Sequence, residues 1–192
     1  MKLGVYLNAQ HPRTDDPVRR FEETVEQTRL LKKLGFDSIW GGEHHITDDY
    51  HYFPLLPFLQ RLAAEAEGME LGTNVVLLPL HNPMEVAELT AFLDVISGGK
   101  FQLGVGLGYR PEEFDMFGVS LKQRVGRLTE GVEIIRRLWT EDNVAHEGRH
   151  WQFENMSIGP QPAAKPRPPI LIGAHVDAAV ERAARIGDGW CI

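Results

Sequence analysis

An acid and two imidazoles, Glu43-His44-His45, stand directly after an apolar run and a glycine pair in Gly35-Phe36-Asp37-Ser38-Ile39-Trp40-Gly41-Gly42. Histidine changes charge near neutral pH, so the triplet offers acid–base chemistry. Phe36, Ile39 and Trp40 read as a buried strand that the glycines end. In a parallel β/α protein, reactive groups gather at the carboxyl ends of strands. His44 is therefore the candidate catalytic residue. Glu43 either orients it or is a buried structural acid, and His45 is the adjacent alternative. A polar loop with two surface histidines is the competing reading. With His51 nearby, a metal cluster is conceivable, but the histidines lack a fixed helical or hairpin spacing. No metal site is expected.

Two further motifs invite assignments that their context opposes. Gly104-Val105-Gly106-Leu107-Gly108 has G-x-G-x-G spacing and runs into Tyr109-Arg110-Pro111, whereas a dinucleotide loop needs six-residue spacing and a helix at once. These glycines more plausibly admit a flat ligand or a neighbouring strand close to the backbone. His146-Glu147-Gly148-Arg149-His150 spells H-E-x-x-H, but zinc binding requires both histidines on one helix face. Gly148 interrupts it and Trp151-Gln152-Phe153 alternates after it, so a loop or β-hairpin is expected.

These motifs sit in a chain of alternating units. Strands are expected at Leu3–Leu7, Phe36–Trp40, Leu71–Leu78, Phe101–Leu107 and Pro169–Ile172, with a sixth starting at Trp190–Ile192. Helices are expected at Pro17–Leu34, Pro54–Glu67, Pro83–Ile96, Arg124–Trp139 and Ala178–Ile186, on stripes such as Leu128, Val132, Ile135 and Leu138. The alternation predicts a parallel α/β architecture. An open doubly wound sheet would favour a glycine fingerprint after the first strand, and Asn8-Ala9-Gln10-His11-Pro12 has no glycine.

The 192 residues are 43% hydrophobic and 24% charged, an ordinary globular composition. A net charge of -7 argues against nucleic acid or an anionic membrane as partner. The single cysteine, Cys191, forms no internal disulfide and fits a cytoplasmic setting. The amino terminus is too short and then too polar for a secretory segment, and no stretch is long and apolar enough to span a bilayer.

The chain resembles the bacterial luciferase-like family of flavin-dependent oxidoreductases over essentially its whole length. The carriers are Gly35–Trp40 with Glu43-His44-His45, Leu71-Gly72-Thr73 leading to Leu78-Pro79-Leu80-His81-Asn82-Pro83, Leu93–Phe101 with Gly104-Val105-Gly106, and Pro168-Pro169-Ile170. The resemblance implies a TIM-type (β/α)8 barrel binding FMN, or the deazaflavin F420, at the carboxyl ends of its strands. It places His44 beside the reactive edge of the flavin as an acid/base or stabilising group. Asn74-Val75 matches a non-prolyl cis peptide behind the ring, Gly106-Leu107-Gly108 the contact with the flavin and its tail, and Gly173-Ala174-His175 part of the phosphate site. The implied activity is a monooxygenase using reduced FMN and oxygen on a small organic substrate, with a separate reductase as a possible partner. The alternatives are F420-dependent hydride transfer and a non-catalytic, shortened flavin-binding or assembly member. Gly106 and Leu107 stand where luciferase has a reactive cysteine and a phosphate-binding arginine, and Ala174 and His175 where it has a glutamate and a serine. This argues against light emission and leaves FMN against F420 open. A full barrel needs roughly 250 residues and eight strands. Residues 1–192 are therefore expected to form one barrel domain truncated at its carboxyl end, either a fragment or a homo-oligomer in which another copy covers the gap.

Overall fold

The computed structural model describes residues 1–192. The chain begins with β1 (Gly4–Tyr6) and a short β2 (Gln10–Pro12), then α1 (Pro17–Lys33). Asp16 caps α1 by accepting the Val18 N–H at 2.9 Å, and Pro17 occupies the first turn, where its missing N–H costs nothing. β3 (Ser38–Gly41), β4 (Tyr50–Tyr52), α2 (Leu55–Leu62) and β5 (Glu70–Thr73) follow, then α3 (Pro83–Ile96), capped by Asn82 through the Met84 N–H at 3.0 Å. The chain continues through β6 (Phe101–Val105), α4 (Pro111–Met116), α5 (Arg124–Leu138), β7 (Val144–Glu147), β8 (Gln152–Met156), β9 (Ile170–Gly173), α6 (Asp177–Ile186) and β10 (Gly189–Cys191).

β1, β3, β5, β6, β9 and β10 form one six-stranded sheet in that order. Every pairing is parallel. Sequential order without reversal is the barrel-type wall, and the doubly wound alternative is excluded. The register sets Ile39 beside Leu71, Leu71 beside Phe101, and Leu103 beside Ile170. These side chains are all buried, within a core cluster of 35 residues that the helices complete. Leu128, Val132, Ile135 and Leu138 of α5 are buried in it, so the helical stripe read from the sequence is the packed face.

Five elements differ from the sequence expectation. The third strand ends at Thr73, short of Leu78. There the Thr73 hydroxyl both donates to the Gly104 carbonyl and accepts the Gly104 N–H, each at 2.8 Å, replacing the ladder with side-chain bonds. The Asn74–Val75 peptide is cis, and Leu78–Leu80 forms a 3-10 turn. The second helix stops at Leu62. β2 and β4, which pair antiparallel, and α4 carry no periodic signal and were not anticipated. The H-E-x-x-H segment lies on the antiparallel hairpin β7–β8, as expected. Glu130 of α5 anchors it by accepting the His150 and Trp151 N–H groups, with His146 Nε2 at 3.2 Å.

Candidate functional site

The carboxyl ends of β3, β5, β6 and β9 open onto a cavity of about 440 Å³. Glu43, His44, Asn74, Val75, Gly106, Leu107, Gly108, Gly173, Ala174 and His175 all line it. Parallel strands in register bring their ends to one rim, so residues far apart in sequence meet there. Tyr6, Leu77, Tyr109, Val176 and Ile192 add mostly apolar wall. The volume is within the range of small-molecule sites, roughly 300–1,000 Å³. At Gly106 a Cβ would lie 2.5 Å from Val75 Cγ2, so the absent side chain lets Val75 pack directly on the backbone and form the wall there. The first turn of α6 starts beside Val176, with no side-chain cap on its N–H groups. Such a terminus suits an anionic group.

His44 stands at the junction of this cavity and a second, more polar one of about 350 Å³, lined by Gln10, Tyr50, Tyr52 and Arg110 among others. The His44 ring is held edge-on between Tyr52 and Tyr109, with centroids at 5.6 and 5.9 Å. Burial, and then a hydrogen bond with Tyr6, push the Tyr52 phenol upward, so the ring beside the histidine stays neutral. His44 Nδ1 lies 3.1 Å from Oε1 of Glu113, a fully buried carboxyl on α4.

Glu43 has other partners than His44. Its Oε2 accepts the Leu77 N–H at 2.6 Å, and His81 Nε2 reaches its two oxygens at 2.9 and 3.0 Å. His45 Nε2 is a further 3.1 Å contact to Glu43 Oε1. Burial opposes ionisation of Glu43, and the contacts from His45 and His81 outweigh it, holding the carboxyl at about 2. Successive residues after β3 point to different sides, so Glu43 and His45 share a cluster with Phe117 while His44 turns towards Tyr52. The acid in contact with His44 is Glu113. Its signal, an acid just inside a helix opened by Pro111, is ambiguous in sequence because Glu112 shares it.

Glu43, His45 and His81 bring ligand-type atoms within 4.8 Å of one another. With Glu43 already accepting from Leu77 and His81, the trio forms a clasp between β3 and the segment after β5. His51, grouped with these histidines by sequence, lies instead opposite His11 on the β2–β4 ribbon.

A sequential parallel wall with a ligand-sized cavity at its strand ends defines a (β/α)-barrel-type protein. The chain belongs to the luciferase-like monooxygenase family, which it matches over residues 1–192. It is 31% identical over 173 residues to the oxygenase component of flavin-dependent trigonelline monooxygenase from Acinetobacter baylyi, covering 87% of this chain and 47% of that protein. It is 33% identical over 168 residues to an F420-dependent glucose-6-phosphate dehydrogenase from Microbacterium testaceum, covering 84% of this chain and 49% of that one. The crystal structure of monooxygenase RslO1 from Streptomyces bottropensis superposes with a TM-score of 0.92 at 33% identity, covering 100% of this chain and 59% of that one. The chain thus spans about half the length of the curated relatives it matches.

Proposed function

We propose that the chain carries the flavin site of an oxidoreductase of the monooxygenase type, using reduced FMN and oxygen on a small organic substrate. The observation that carries this reading is the convergence of Asn74, Val75, Gly106–Gly108 and Gly173–His175 with His44 on one cavity. The apolar wall, with Val75 packed on the Gly106 backbone, and the cavity size fit a flat ring. Val75, Leu107 and Ala174 would hold the ring and exclude water, with His175 and the start of α6 towards its phosphate. A bound flavin supplies the redox chemistry. His44 holds or moves the proton that this chemistry needs, and the second cavity, which it also borders, receives the organic substrate.

F420-dependent hydride transfer is the second reading, favoured by the dehydrogenase relative, whose 33% identity matches that of RslO1. A separate reductase would supply reduced FMN, as the name "oxygenase component" of the Acinetobacter relative suggests. Assembly with further copies and a cytoplasmic location belong to the same proposal; no helix is long and apolar enough to cross a membrane.

The test is titration of the purified protein with FMN and with F420, followed by absorption and fluorescence, then oxygen uptake with reduced FMN. Saturable FMN binding with substrate-dependent oxygen uptake is expected. Binding of F420 alone moves the assignment to the second reading. Binding without turnover supports the non-catalytic role, and binding of neither overturns the proposal.

A further inference from the structure

We infer that Glu113 is a positioning residue that fixes the tautomer of His44, placing the proton on Nδ1 and leaving Nε2 as a proton acceptor. This rests on the reading of His44 as the working histidine. Three nitrogens converge on one carboxyl oxygen. Glu113 Oε1 accepts the His45 backbone N–H at 2.9 Å, receives the Arg110 guanidinium at 3.4 Å, and lies 3.1 Å from His44 Nδ1. Arg110 also donates to the His45 carbonyl at 3.0 Å, which fixes the same loop from a second direction.

An oxygen that already accepts two N–H groups has no proton to offer a third neighbour. The His44 contact is therefore made with Nδ1 as the donor. This holds whatever the ionisation of Glu113, because a proton on that carboxyl would sit on Oε2, away from the histidine. Glu113 is fully buried, and its Oε2 has no hydrogen-bond partner. A buried polar atom left unsatisfied marks a group retained for a reason other than packing. Nε2 of His44 makes no hydrogen bond with the protein, and the ring borders both cavities. In its neutral form the histidine thus presents a lone pair, and it takes a proton before it can give one.

Nitrogen-15 NMR of histidine-labelled protein, without flavin, reads the tautomer directly at a pH well above roughly 6.5, the ordinary histidine value. Loss of one ring signal in His44→Asn assigns the resonance. The expected wild-type pattern is a protonated Nδ1 and a bare Nε2. Glu113→Gln, which keeps an acceptor oxygen, retains that pattern. Glu113→Ala shifts it to Nε2–H, the form free imidazoles favour. If Glu113→Ala fails to fold, Glu113→Asp, which withdraws the carboxyl by one methylene, replaces it with the same expected shift. A wild-type Nε2–H form overturns the inference, as does a pattern unchanged by both Glu113→Ala and Glu113→Asp. The measurement needs no cofactor, so its failure leaves the flavin proposal standing, and failure of flavin to bind leaves the tautomer result intact.

Discussion

Replacing Glu43 by Gln should make the protein's acid stability depend less on pH. The carboxyl is held at about 2 against an ordinary 4.5, because the His45 and His81 contacts outweigh the cost of burial. At about 1.4 kcal/mol for each tenfold in the constant, this is worth ~3 kcal/mol of folding free energy. The folded value is the lower one, so the contribution is fully present above the unfolded value and is lost as pH falls towards the folded one. From pH 6 to pH 3 the loss comes to about 2 kcal/mol by the same linkage relation. Glutamine keeps the shape and an acceptor for the Leu77 N–H, yet it cannot ionise. Urea unfolding followed by tryptophan fluorescence, at pH 6 and pH 3 for both proteins, measures the effect. Wild type should exceed Glu43→Gln at pH 6, with the gap closing by about 2 kcal/mol at pH 3. A gap that stays constant, or widens in acid, would refute the electrostatic account of the clasp.

In a flavin-loaded enzyme, His44→Ala should lower turnover by roughly a hundred- to ten-thousand-fold with flavin affinity nearly unchanged, the scale of a lost acid–base group; rapid-mixing kinetics and a fluorescence titration separate the two. His45→Ala should act on stability more than turnover, since its ring packs on Phe117 outside the cavity lining; thermal melting checks this. Gly106→Val should weaken flavin binding because even its Cβ would meet Val75 at 2.5 Å, and unaltered affinity in the titration would count against a ring on that wall. Joint replacement of His146 and His150 by Ala should leave flavin binding unchanged, as both belong to the β7–β8 hairpin region anchored by Glu130.

Local pattern was enough for the order of the sheet. Apolar runs alternating with amphipathic stripes make each strand-helix unit legible alone, and parallel neighbours joined by helices then fall into sequential order. The segments that line the cavity were named by the family resemblance rather than by local pattern; the structure shows why they meet, since the strands stop at Thr73 and Val105, earlier than the apolar runs do, and strand ends in register share a rim. Partner choice within the site was not legible. His44 and Glu113 are 69 residues apart, and Glu43 and His81 are 38 apart. Adjacent side chains in Glu43-His44-His45 diverge, and sequence cannot say which faces which neighbour. β2 and β4 are three residues each and α4 six, too short for a period to emerge. Sequence by itself determined the wall and the positions of the reactive residue types along it. Only the tertiary structure decided which acid meets which imidazole, because that pairing is set by distances between loops that the folded sheet alone brings together.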